Sequence, residues 1–324
     1  MKGTLIRIGV SLFFIGLLVY FMKDDFSRIV GVIRNADKAL IILSVVIYLS
    51  TVIVLAKRLQ IILASSKIRV SLSDTIQLTF VGNFFNNFLP TAVGGDLVKA
   101  MCAARITKEP VQSFTSVLMD RIFGLFTFVL IPSVTILFLA KGLDPWVSVT
   151  IYSILAVSIL CFFIMFNRGV ARRLGFVEKL LSYKNIGGKI RKIYDELHIF
   201  KDRKAVVVQS MALSIVGQSV CIFVLYLMSV AMGADRDSLI HFFILVPVVH
   251  LISMTPSLGG LGIRENAYIV FLKNTIGVDR AAALSILYLG LLFLMSLIGG
   301  IIYMIRQDYH VRLKDLFKAK QPQA

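Results

Sequence analysis

The sequence predicts an all-α polytopic integral membrane protein, with about six full transmembrane helices plus two re-entrant helical hairpins in an inverted repeat. Three observations predict it. The 324 residues are 57% hydrophobic with a mean hydropathy of +0.85, which leaves no room for a sizeable soluble domain. Apolar stretches of about 18 or more residues recur along the chain, each long enough to cross a bilayer core of about 30 Å. Two further apolar stretches run into breaks rich in proline and glycine, and Lys and Arg are shared unequally between alternate loops. The formal charge of +17 would suggest nucleic acid in a soluble protein, but here its placement matters more. Cys102, Cys161 and Cys221 are scattered without a CxxC pair, so neither a disulfide framework nor a zinc site is indicated.

The first span is 5–22. It resembles a signal peptide in composition, but no A-x-A-like cleavage site follows, so it is expected to be retained as an uncleaved insertion signal. Full spans are then expected at 39–56, 111–140, 146–166, 205–232 and 281–305, with the interrupted stretches at 74–90 and 239–256. With the N-terminus inside, cytoplasmic segments carry 24 Lys and Arg residues and the opposite side 8. The positive-inside rule therefore places both termini in the cytoplasm. Lys99, Arg121 and Arg264 fall within membrane segments.

The same orientation constrains the interrupted stretches. Loops 57–73 and 105–110 are both basic, hence both cytoplasmic, and an even number of crossings must separate them. After Gly94-Gly95 the return segment 97–106 covers only about 15 Å as helix, too short to cross. Residues 74–106 are thus expected to form a hairpin entering from the cytoplasm, and 239–273 one entering from outside. Non-helical backbone at membrane depth is tolerated only where protein covers it or water reaches it.

Residues 39–140 read span, hairpin, span, and 205–305 repeat that order from the opposite side. The tips match: Pro90 precedes Gly94 and Gly95, and Pro256 precedes Gly259 and Gly260. Interrupted segments at corresponding positions of inverted halves point to a midplane binding site, although Pro and Gly are also common in membrane helices for other reasons. A single transmembrane domain, 1–324, is expected, with a basic cytoplasmic loop at 167–204 and a basic tail at 306–324. The loop holds eleven basic and four acidic residues, with apolar positions at helical spacing on either side of Gly187-Gly188. It reads either as interfacial amphipathic helices or as a topology determinant without a ligand.

A half-helix starting after Gly95 or Gly262 offers free N–H groups and a partial positive charge to an anion such as a lipid phosphate. Lys99 and Arg264 stand beside those starts, while Asp96 and Glu265 suit either capping or the site itself. Asp120 and Arg121, about 15 Å into span 111–140, need pairing or hydration at that depth. They serve either the site or a structural tie such as Arg121 to Asp96. Asn83, Asn86 and Asn87 share a helix face, either lining a hydrated cavity or satisfying backbone freed at Pro90. His250 reads as a hydrogen-bonded packing residue.

Three stretches, NNFLPTAVGGDLVKA, LMDRIFGL and PSLGGLGIREN, resemble signatures of the flippase-like transmembrane domain of lysylphosphatidylglycerol synthetases, also found as stand-alone bacterial and archaeal membrane proteins. The resemblance covers roughly 40–305. It implies a lipid-handling role: in the synthetases this region moves charged phospholipids between leaflets, and a separate soluble domain performs aminoacyl transfer. This chain ends in a short basic tail and is expected to lack that domain. Stand-alone members are associated with lipid, isoprenoid-glycan and hopanoid pathways.

The expected function is binding and translocation of a phosphate-bearing lipid, phospholipid or isoprenoid-linked, in a prokaryotic inner membrane. Substrate contacts are expected from Asn83, Asn87, Pro90, Gly94, Gly95, Asp96, Lys99, Asp120, Arg121, Pro256, Gly259, Gly260, Gly262, Arg264 and Glu265. No cofactor or metal is expected, and the partners are anionic membrane lipids, with a lipid-modifying or glycosyltransferase partner as a further possibility. Two alternatives stand. One is a non-transporting partner that holds a glycosyltransferase at the membrane. The other is a membrane-embedded transferase using Asp96, Asp120 or Glu265 as base, although the sequence shows neither a Ser/His/Asp arrangement nor a nucleotide-binding loop.

Overall fold

The computed structural model describes residues 26–89, 93–139, 145–166, 200, 203–255 and 260–309. The expected first span 5–22 and nearly all of loop 167–204 lie outside them, as do Pro90, Pro256 and Gly259. Among the described residues every regular element is helical: α1 (Phe26–Asn35), α2 (Lys38–Ser65), α3 (Leu72–Phe88), α4 (Gly94–Thr107), α5 (Pro110–Leu139), α6 (Pro145–Phe166), α7 (Lys204–Ala231), α8 (Leu239–Ile252), α9 (Ile263–Ile276) and α10 (Val278–Ile305). Short 3₁₀ turns add Arg236–Ser238 and Gln307–Tyr309.

Four of these helices are long and apolar enough to cross a membrane: Lys38–Ser65, Pro110–Phe138, Lys204–Ala231 and Val278–Ile305. The chain is a multi-pass membrane protein. Local chemistry sets where the helices begin and end. Asp37 caps α2 by accepting from the Ala39 and Leu40 N–H groups, and Ser71 caps α3 through the Asp74 N–H at 3.0 Å. Pro110 opens α5, where a missing N–H leaves no helical bond unmade. Gly277, at φ +85, separates α9 from α10 in a conformation that a β-carbon would penalise.

Several boundaries depart from the sequence expectation. The span expected at 39–56 continues to Ser65, because LQIILAS extends its apolar run and only Ser66 and the left-handed Lys67 stop it. Arg58 is therefore a buried helical residue and not part of a basic loop. The stretch 23–38, counted as loop, contains α1, which buries Ile29 and packs on α10. α8 closes at Ile252 and passes into turns at Ser253–Thr255, short of the expected end at 256, while Pro247 sits inside it.

The short helices pair by sequence order. α3 and α4 pack together, as do α8 and α9. At 17, 14, 14 and 14 residues they measure about 25 Å and about 21 Å by helical rise. The α3–α4 contact is close because glycine makes it so: a β-carbon on Gly95 would meet the Gly82 carbonyl oxygen and Asn86. Small residues let helix backbones approach where lipid supplies no hydrophobic drive between helices. The same device brings α10 onto α3, where Gly299 faces the Phe80 carbonyl and Gly300 the Phe84 ring.

Packing is consistent with two matching halves. α2 runs against α7. α3 meets α10, and α8 meets α5; α4 meets α5, and α9 meets α10; α2 meets α3 and α5, and α7 meets α8 and α10. Exchanging α2–α5 for α7–α10 reproduces these pairings, whereas the packing of α5 on α7 has no α2–α10 counterpart of similar extent among the described residues. One apolar core surrounds Ile222, Phe242, Tyr268 and Leu284, and a second surrounds Leu59, Leu78, Val81 and Cys102.

Candidate functional site

Polar side chains from both halves converge on one open cavity of about 330 Å³ between α2, α3, α4, α5, α7, α8 and α10, bordered by the start of α9. Its wall includes Asn83, Asn86 and Asn87 from α3, Asp96 and Lys99 from α4, and Asp120 and Arg121 from α5. Gly260 and Arg264 reach it from the turn before α9 and from its first residues.

At the centre is Asp120. Its Oδ1 accepts from Arg58 Nε at 2.7 Å and its Oδ2 from Lys99 Nζ at 2.8 Å. Arg58 NH1 donates onward to Ser214 Oγ at 2.7 Å, so the network joins α2, α4, α5 and α7. Gly124, one turn beyond Asp120, lies beside the same guanidinium: a β-carbon there would make ordinary van der Waals contact with Arg58 NH1 at 3.6 Å. Ionised groups removed from water need such pairing, and bonds between ions are about twice as strong as neutral ones.

Arg121 points elsewhere. Successive helical residues diverge by about 100°, so Asp120 and Arg121 take different partners. Arg121 NH1 lies 3.4 Å from Asp96 Oδ2, a longer contact between more exposed side chains. The tie from Arg121 to Asp96 is the one considered from sequence.

The two helix starts are more occupied than the sequence suggests. The Gly95 N–H donates to Asn86 Oδ1 at 2.9 Å, and the Gly262 N–H donates to Glu265 Oε2 at 2.7 Å. These donors, expected to be open to an anion, are satisfied internally. Gly94 and Gly95 are buried, and Gly95 serves the α3–α4 contact. Gly260 and Gly262 take φ of +81 and +80, backbone that glycine adopts without penalty. Glu265 Oε1 also accepts from Arg264 Nε at 3.1 Å and NH2 at 2.9 Å, so the acid both caps α9 and holds the guanidinium. Asn87 does not face the cavity freely: its amide donates to the Leu292 carbonyl and to Ser296 Oγ on α10.

Arg58 joins the site although its sequence position places it among loop charges; the apolar run that follows it carries the helix past it. Missed from the sequence was a cluster at the other end of the cavity. His250 bonds Gln218 at 3.3 Å and the Tyr268 hydroxyl at 3.0 Å, and its ring stacks on Tyr288. Arg264 lies over the Tyr288 ring at 5.7 Å, linking this cluster to the charges. His250 is thus a hydrogen-bonded packing residue that also borders the cavity.

The charge balance is asymmetric. Arg58, Lys99, Arg121 and Arg264 line the cavity with Asp96 and Asp120, and Glu265 stands behind Arg264, so four cations face three carboxylates. Among the described residues no group of three His, Cys, Asp or Glu side chains is placed to hold a metal ion.

A family model described as the lysylphosphatidylglycerol synthase TM region matches residues 4–300. A UPF0104 membrane protein of Pyrococcus horikoshii is 26% identical over 329 residues, covering 93% of this chain and 96% of that protein. A UPF0104 membrane protein of Methanothermobacter thermautotrophicus is 26% identical over 292 residues, covering 83% and 85%. No solved structure matches the chain.

Proposed function

This chain belongs to the family of the lysylphosphatidylglycerol synthase TM region, and from that premise we propose that it binds a phosphate-bearing lipid and moves it between the leaflets of a prokaryotic cell membrane. The observation that carries the reading is the open polar cavity holding four cations against three carboxylates, set among helices long enough to cross the bilayer. Ionisable groups inside a membrane mark a substrate path or a proton path more often than ordinary packing. The positive surplus selects anions.

In this reading α3–α4 and α8–α9 are re-entrant hairpins in an inverted repeat, completed to six full spans by 5–22 and α6. The lengths of the hairpin helices, below the roughly 30 Å of a bilayer core, support it. So do the matching pairings of the two halves. Both termini are cytoplasmic. Arg121 meets the phosphate, since its side chain is 26% exposed against 7% for Lys99 and 8% for Arg264. The buried pairs set the field around it. The acyl chains remain in the bilayer while the headgroup crosses through the cavity.

Two of the three candidate bases are disfavoured by their own partners: Asp120 is held between two cations, and Glu265 by Arg264 and the Gly262 N–H, while Asp96 has the 3.4 Å contact with Arg121. The test is a headgroup-accessibility assay in proteoliposomes, run with a panel of labelled lipids. Protein-dependent exchange of phosphate-bearing lipids, reduced by Arg121→Gln, supports the reading. Binding without exchange would instead favour the role of a membrane partner for a lipid-modifying enzyme.

A further inference from the structure

We propose that Asp96 is a proton site coupled to the anion site: the phosphate takes Arg121, and a proton from water takes Asp96 Oδ2 in its place. The inference rests on the lipid-binding reading above and adds a second, co-bound ligand, the proton.

Two carboxylates on neighbouring helices line the cavity, and their surroundings differ. Asp120 is answered on both oxygens, by Arg58 at 2.7 Å and by Lys99 at 2.8 Å. Asp96 Oδ2 is buried and accepts no hydrogen bond among the described residues. Arg121 NH1 stands 3.4 Å from it, farther than the roughly 2.7–2.9 Å of a charge-assisted hydrogen bond. A buried carboxyl group without donors is costly as an anion and far less so as a neutral acid. Two features hold the anion in the empty cavity: the Arg121 guanidinium and the start of α4, in whose first turn Asp96 lies.

A phosphate that draws Arg121 away removes the first of these and brings a second negative charge beside Asp96. Like charges sharing a site favour protonation of one of them, and a phosphodiester is much the stronger acid, so the carboxylate accepts the proton. The contact with Arg121 breaks and an Oδ2–H bond forms. The lipid adds one negative charge and the proton one positive, so the loaded cavity keeps the net charge of the empty one. The neighbours leave Asp96 as the group that responds. Arg121 and Asp120 face the cavity from α5, Lys99 from α4 and Arg58 from α2, while α3 contributes asparagines, which do not titrate. Asp120, Lys99 and Arg58 are locked together, and Arg264 is held by Glu265. His250, from α8, is bonded at both ring nitrogens. The turn Gln307–Tyr309 meets α4 at Cys102, nearly two turns farther along.

The coupling is reciprocal: a bound proton tightens the lipid, and a bound lipid tightens the proton. The test is calorimetric titration of the full chain in detergent with phosphatidylmethanol, whose phosphodiester does not titrate near neutral pH. Runs in buffers of different ionisation enthalpy count the protons taken up. About one proton per lipid is expected, and affinity should fall as pH rises, by up to about tenfold per pH unit. Asp96→Asn imitates the protonated acid, so it should bind without proton uptake and without the pH slope; thermal unfolding shows whether its fold is kept. The proton count of the parent protein is a test that needs no variant. Lipid binding by the parent with neither proton uptake nor a pH slope overturns the coupling and leaves the lipid reading standing. A slope that survives Asp96→Asn but is lost in His250→Gln overturns the assignment to Asp96. Soluble dimethyl phosphate binding as tightly as the lipid overturns the lipid half of the proposal, and failure of the lipid to bind at any pH removes the proposed function itself.

Discussion

Arg58 and Asp120, 62 residues apart in sequence, meet through a 2.7 Å hydrogen bond beneath the cavity, where Asp120 also receives Lys99. One carboxylate thus balances two buried cations. Asp120→Asn strands both, and breaking a buried ion pair by removing one partner costs roughly 3–5 kcal/mol. The variant should show reduced yield and a lower thermal-unfolding midpoint in detergent. Adding Lys99→Met removes one stranded cation and should recover part of the loss. A single mutant as stable as the parent would show that the network carries no structural weight.

A glycine comparison tests the hairpin contact. A β-carbon at Gly95 meets the Gly82 carbonyl and Asn86, whereas one at Gly290 meets nothing within 4 Å. Gly95→Ala should therefore separate α3 from α4 and sharply reduce folded yield. Gly290→Ala should be neutral or slightly favourable, because alanine is the better helix former by about 1 kcal/mol. Size-exclusion profiles and unfolding midpoints of the two variants decide it.

Much of this arrangement was legible in the sequence, and the exceptions have physical causes. Hydrophobic runs place the four long helices, and the breaks near Gly94-Gly95 and Gly259-Gly260 separate the short pairs, because both signals are local. The Asp96–Arg121 tie was legible because ionisable residues at that depth need partners. Arg58 was not: a basic residue after an apolar run reads as a helix end, and only its pairing with Asp120 across the fold explains its burial. The N–H groups of Gly95 and Gly262 themselves are taken up internally for a related reason. Asn86 lies nine residues before Gly95, and α3–α4 packing brings it there, which local reading does not show. Within the second tip, Glu265 three residues after Gly262 is a local capping signal, and the cap it predicts is present.

That acid supports a third prediction. Glu265 caps α9 through the Gly262 N–H and pairs with Arg264. Glu265→Gln keeps a carbonyl oxygen for the cap but leaves Arg264 buried without its charge partner. Glu265→Ala loses both, and the cap alone is worth about 1 kcal/mol. The unfolding midpoint should fall in the order parent, Glu265→Gln, Glu265→Ala. If the two variants are equally stable, the cap contributes nothing, and the pair with Arg264 accounts for the whole effect.

The last prediction concerns which side of the membrane each half begins from. Loop charge places Glu109, between α4 and α5, in the cytoplasm, and Asp235, after α7, outside. Both residues are exposed, so a cysteine at either is reachable wherever water is. In a background with Cys102, Cys161 and Cys221 replaced, an impermeant thiol reagent applied to intact cells should label Asp235→Cys. Glu109→Cys should react only after the membrane is opened. Because α4 leads into α5 at Glu109 while α7 leads to α8 at Asp235, this pair fixes the entry sides of the two hairpins relative to each other. Labelling of both positions from outside would place the α4–α5 and α7–α8 connections on one face. The chain between them would then cross an even number of times, so α5, α6 and α7 could not all be spans, and the inverted arrangement would be lost.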